Sequence, residues 1–201
     1  MLTEQQILHY WNYAELLNEE LGNTARFVEP DVSNYQTYSL AYTNIILSAC
    51  SEVEIVCRLL CQTVDAEKGY TTPEKWIQMK DISKTILKRF PHIYQARAEI
   101  LQKQEYIYPF KVWESNEKDI LPWWKEYDLI KHYRHQKFNH ATLENALNSV
   151  AALIILNSYL YELVLGEHAP RMTRFGMFDN CYSYCGLVVQ PNEKLPDMQM
   201  R

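Results

Sequence analysis

Leu143-Glu-Asn-Ala-Leu-Asn-Ser-Val150-Ala-Ala-Leu-Ile-Ile-Leu-Asn-Ser-Tyr-Leu-Tyr-Glu-Leu-Val-Leu165 decides how the rest of this 201-residue chain must be arranged. Leu143, Ala146, Leu147, Val150, Leu153, Ile154, Leu160, Tyr161 and Val164 recur at helical spacing on one face. Ala151, Ala152, Ile155 and Leu156 fill the other faces, so the middle of the segment is apolar all round. Such a helix is either central in its own bundle or buried on a second face against another subunit. Gly166 ends it, and Asn139 is the expected N-cap, which places His140 in the first helical turn.

The neighbours needed to cover that helix lie upstream. Ile7, Leu8, Trp11, Ala14 and Leu17 follow a capping Thr3 and run to Gly22 and Asn23. After a loop around Glu29–Tyr35, Tyr42, Ile45, Ile46, Ala49, Val53, Val56, Cys57 and Leu60 form the stripe of a long helix over about Tyr38–Val64, with Glu54 and Arg58 one turn apart on its surface. Thr72-Pro73-Glu74 reads as a third start, carried by Trp76, Ile77, Ile82 and Leu87 to Pro91. Between Ile93 and Trp113 the pattern becomes partly alternating and aromatic, which predicts a short hairpin or an ordered loop. Leu121-Pro122 opens a fourth helix containing Trp123, Trp124, Tyr127 and Ile130. The expected domain is a helical bundle over 1–166, with 167–201 as a C-terminal appendage carrying one short strand near Tyr184–Val189.

Composition bounds the class. Five Gly and eight Pro are too few for a turn-rich β-sandwich, and an apolar fraction of 47% is globular. No basic segment precedes an apolar one near Met1, which makes the chain read as cytoplasmic and without a membrane partner. Five Cys, three of them on one predicted helix, argue against a disulfide framework, and the Cys181/Cys185 pair lacks the further ligands of a zinc site. A net charge of −5 gives no global attraction to nucleic acid, so any such contact must be local.

The local candidate is Lys131-His-Tyr-Arg-His-Gln-Lys-Phe-Asn-His140, which crowds three of the chain's six His among Lys131, Arg134 and Lys137. It combines groups that hold phosphate with groups that move protons near neutral pH. Spacing alone decides nothing: a His four to six places after an Arg is expected roughly 0.7 times by chance in this composition. The same residues also fit a solvated basic face, or a zinc site through His132, His135 and His140. If His140 opens a helix, the macrodipole keeps its imidazole neutral and able to accept a proton, and Arg134 lies across the corner.

The longer string Pro122-Trp123-Trp124-x-x-Tyr127-x-x-Ile130-Lys131-His132-x-Arg134-x-x-x-Phe138-x-x-Ala141, followed by the apolar helix, resembles the bacterial branch of the HEPN superfamily. Ser48-Ala-Cys-Ser-Glu52-Val-Glu54 fits the acidic helix that opens many of these domains, and the similarity spans roughly Tyr38–Leu165. It implies an all-α bundle of four to five helices, here with a short β or loop insertion and an irregular tail. It also implies a homodimer and, in active members, a metal-independent endoribonuclease of the toxin or phage-defence kind with no cofactor. Carried over, Arg134 is the phosphate clamp, His140 the base and His135 the polar residue after the Arg, with Lys131, His132 and Lys137 toward substrate. RNA and a protein partner such as an antitoxin are the implied partners. The alternative is a non-catalytic module binding nucleotide, nucleic acid or protein through the same surface.

Overall fold

A computed structural model describes residues 2–72, 77–100, 103, 105–115, 119–166, 169–170 and 176–182. Five α-helices run through them: α1 (Glu4–Thr24), α2 (Leu40–Val64), α3 (Met79–Arg89), α4 (Pro122–Lys137) and α5 (Leu143–Leu165). The architecture is an all-α bundle with a small sheet at one side. Strands β1 (Arg97–Ile100), β2 (Glu105–Ile107) and β3 (Phe178–Tyr182) form that sheet in the order β2-β1-β3, antiparallel throughout.

α5 is the axis of the bundle. It packs on α1, α2 and α4 and reaches the sheet, so the apolar middle is covered within one chain and needs no second subunit. Every residue from Ser149 to Tyr161 is buried. Its mean hydropathy reaches 1.4 over a window that is 78% buried inside the protein, the signature of a core helix that happens to be long enough to span a membrane. Its buried polar residues bond to the helix itself: Ser149 and Ser158 donate to the carbonyls of Ala146 and Ile154 at 3.0 Å, and Asn157 to Leu153 at 2.9 Å.

Local chemistry sets the ends of the other helices. Thr3 and Gln6 form a reciprocal capping box on α1, and the Ser39 hydroxyl accepts from the Tyr42 amide at the start of α2. α3 begins at Met79, later than Thr72-Pro73-Glu74 predicts; residues 73–76 lie outside the described residues. The chain on either side of them is held at long range. Arg58, paired with Glu54 at 2.7 Å, also donates to the carbonyls of Tyr70 at 3.4 Å and Ile77 at 3.1 Å. Arg58 thus fixes the α2–α3 connection, well beyond the one-turn surface pair expected of it.

The segment after Gly166 belongs partly to the body. Met177 and Phe178 are in the core, and β3 pairs with β1. The strand expected at 184–189 lies outside the described residues, as does Cys185.

Candidate functional site

α4 is anchored at its start and free at its end. Pro122 occupies the first turn, and Trp123, Trp124, Tyr127 and Ile130 turn inward, with the Trp123 indole N–H donating to the carbonyl of Pro109 at 2.8 Å. From Lys131 to Gln136 every residue is exposed, so this last part of the helix stands clear of the core on all sides. The backbone leaves helical geometry at Tyr133 (φ −131°, ψ 28°). Lys131, His132, Arg134 and His135 line a shallow groove with Leu40, Leu47 and Phe138. Lys131 lies 5.3 Å from the ring centre of Tyr127, and a hydrogen bond to that phenol pushes its ammonium pKa up. The side chains of Arg134, His135 and Lys137 have no hydrogen bond or ion pair among the described residues, which leaves the Arg134 and Lys137 charges available to an anionic ligand.

His140 sits elsewhere. The chain makes one 3-10 turn over Phe138–His140, and the N-cap of α5 is Thr142, whose hydroxyl accepts from the Asn145 amide at 3.3 Å. Asn139 is therefore not the cap. The first amides of α5 explain why: Leu143 donates to the carbonyl of Thr37 at 2.9 Å and Glu144 to that of Tyr35 at 3.1 Å, so the loop before α2 fixes where the helix begins. His140 precedes the first turn, and the macrodipole does not act on it as expected. Its carbonyl accepts from Asn145 Nδ2 and from the Thr142 amide, both at 2.9 Å, which pins the backbone.

The imidazole is oriented from the preceding helix. His140 Nδ1 is hydrogen-bonded to Glu126 Oε2, fourteen residues upstream on α4, and both side chains are about one quarter exposed (26% and 27%). A carboxylate on Nδ1 holds the neutral ring with its proton there, leaving Nε2 as the acceptor. Nothing in local spacing marks Glu126, since its partner lies beyond a kink and a turn.

His140 and Glu126 line a cavity of about 430 Å³ with Tyr108, Lys111, Asn145 and Asn148. Arg134 lines the groove described above, so the structure does not bring Arg134 and His140 into one cavity of a single chain. His132, His135 and His140 do not form a metal-binding group; among the described residues no three His, Cys, Asp or Glu side chains are placed to hold an ion. No protein-family model, no curated protein and no solved structure matches this chain.

Proposed function

We propose that this protein is a HEPN-like, metal-independent endoribonuclease of the toxin or phage-defence type, acting as a homodimer. The observation that carries the reading is the Glu126–His140 pair, a carboxylate at Nδ1 that favours the tautomer with Nε2 as a base. In this mechanism Nε2 takes the proton of a ribose 2′-OH, and the oxygen attacks the adjacent phosphorus. The bond to the 5′ oxygen breaks and a 2′,3′-cyclic phosphate forms. Glu126 stabilises the imidazolium that results, as a buried acid does in the serine-protease triad. The Arg134 guanidinium clamps the phosphate as charge develops, and His135 beside it protonates the leaving 5′ oxygen. Lys131 and Lys137 extend the cationic track for neighbouring phosphates, with His132 beside them as a hydrogen-bonding group.

Because Arg134 and His140 line different cavities in one chain, the clamp for each base comes from the second copy. Leu40 and Phe138 are exposed beside Arg134 and give that copy an apolar surface to cover. The same separation also favours a second reading, a non-catalytic RNA-binding module in which the basic helix end acts alone.

Incubating total RNA with wild type and with His140→Ala, both in excess EDTA, separates the two. The expected result is cleavage by wild type that leaves 2′,3′-cyclic phosphate ends, and a loss on the order of 10²–10⁴ in the variant. Cleavage that requires an added divalent ion, or an equally fast variant, would overturn the nuclease reading.

A further inference from the structure

The cavity beside His140 has a chemistry unlike that of the basic groove. Three of its four amide side chains commit a nitrogen to the protein: Gln36 Nε2 to Glu144 Oε2 at 3.0 Å, Asn145 Nδ2 to the His140 carbonyl at 2.9 Å, and Asn148 Nδ2 to the Glu144 carbonyl at 2.8 Å; the fourth, Asn139, keeps both donor and acceptor open among the described residues. Their carbonyl oxygens have no donor among the described residues. The carboxylates of Glu126, paired with His140, and Glu144 line the same space, as does Lys111, whose ammonium is paired with Glu114 at 2.7 Å. The cavity therefore offers more acceptors than free donors, and a ligand rich in N–H donors is drawn in.

Shape narrows the class. The walls include the ring of Tyr108, 38% exposed, and the apolar surfaces of Pro109, Val112 and Pro122. A volume of about 430 Å³ suits a flat heterocycle, and exceeds what a single guanidinium or ammonium group fills. Adjacency to His140 puts the occupant one nucleotide from the reacting phosphate.

We propose that this cavity is a base pocket, which takes the nucleobase next to the scissile phosphate and prefers bases with an exocyclic amino group over uracil. The preference follows from hydrogen-bond counting. Adenine, cytosine and guanine each present an amino group to the carboxylate and amide oxygens. Uracil offers one N–H flanked by two carbonyl oxygens that would face acceptors, and leaving such groups unpaired is what makes polar sites discriminate. Tyr108 supplies a stacking face common to all bases. The placement next to the scissile phosphate rests on His140 being the base; the donor preference does not.

The test is equilibrium binding of short 2′-O-methyl homopolymers of adenosine, cytidine and uridine to the full-length protein, since a blocked 2′-oxygen lets binding be read without cleavage. Adenosine and cytidine polymers are expected to bind on the order of tenfold tighter than uridine polymers. Tyr108→Ala should weaken all three on the order of tenfold by removing the stacking face. Gln36→Ala and Asn148→Leu should narrow the gap between bases, with thermal unfolding of each variant confirming that it folds. Equal affinities for the three polymers, or a preference untouched by Tyr108→Ala, Gln36→Ala and Asn148→Leu alike, would overturn the pocket. So would an arginine-rich peptide whose binding depends on Tyr108 while the polymers ignore that residue; it would identify a protein segment as the occupant. Cleavage of unmodified RNA, assayed alongside, keeps the two readings apart. A base preference without cleavage supports the pocket and removes the nuclease, and cleavage without preference does the reverse.

Discussion

The side-chain amide of Asn18 pairs with the backbone of Phe178 in both directions: Nδ2 donates to the Phe178 carbonyl and the Phe178 amide donates to Oδ1, each at 2.8 Å. Asn18 thus acts like a neighbouring strand inside a helix, and the Asn18 carbonyl accepts from Met177 at 3.0 Å as well. Asn18 and Phe178 are both buried, so water does not replace this amide at the Phe178 backbone. Asn18→Leu leaves a donor and an acceptor orphaned, and should destabilise the protein by about 2–4 kcal/mol, seen as a lower urea midpoint at unchanged slope. A midpoint equal to wild type would show that β3 does not depend on α1.

Gly22 serves the same junction. A Cβ at Gly22 would lie 2.7 Å from the carbonyl carbon of Gly176 and 2.8 Å from the Met177 nitrogen, both backbone atoms that cannot swing aside. Helix propensity favours Ala over Gly by about 1 kcal/mol, whereas overpacking a fixed contact costs about 1–3 kcal/mol. The clash should win, so Gly22→Ala is expected to lower the melting temperature. A rise would mean that β3 moves away freely.

This junction shows where the sequence stops being legible. The stripes of α2 and α5 and the cap at Thr3 are readable because each is fixed by residues a few places apart. Gly22 reads locally as a helix terminator, and only the approach of Gly176 and Met177 shows that its lack of a side chain is used for packing. Asn139 looks like a cap by type, but the carbonyls of Tyr35 and Thr37, about a hundred residues away, set the start of α5 at Leu143. β3 contains Asp179 and Asn180, types depleted in strands, and forms because β1 offers an edge. At the site, the basic run is visible as composition. Its division into an exposed Arg134 groove and a His140 cavity depends on the bend between α4 and α5, and Glu126 enters only through that bend.

The thiols of α2 give a prediction in pH. Cys50, Cys57 and Cys61 are buried, and burial pushes all three thiols up, Cys61 from its ordinary 9.0 to about 12 despite the opposing charges of Lys68 and Arg58. The folded protein holds protons that the unfolded chain releases above about pH 9. Stability from these groups is therefore complete below that point and falls as pH rises toward 12. Iodoacetamide labelling read by peptide mass spectrometry should show no modification of the three in native protein at pH 8, and full modification in denaturant. Native labelling at any of them would contradict the burial.

In the proposed mechanism Glu126 is a positioning residue for His140, and its replacement tests that role. Glu126→Gln keeps an acceptor for the Nδ1 proton but removes the charge that stabilises the imidazolium. In the proposed nuclease, turnover of RNA should fall on the order of 10–100-fold, since the charge that stabilises the imidazolium is lost in the transition state. Glu126→Leu frees the ring, and nitrogen NMR of His140 should then show the Nδ1-protonated tautomer depleted relative to wild type. An unchanged tautomer together with unchanged turnover would show that the pair is structural only.

Finally, the separation of Arg134 from His140 within one chain makes a prediction about mixed dimers. If each site joins His140 of one copy to Arg134 of the other, then mixing His140→Ala chains with Arg134→Ala chains rebuilds one intact site in every mixed dimer. Random mixing makes half of the dimers mixed, each with one working site of two, so about a quarter of wild-type activity should return from two inactive preparations. If both groups act within one chain, every site in the mixture carries a lesion and nothing returns. The mixture must be refolded or co-expressed so that subunits exchange, and mass spectrometry of the intact dimer can verify that they have. Full exchange with no recovered cleavage would rule out a site shared between copies, and with it the role of Arg134 as the clamp for the partner copy's His140.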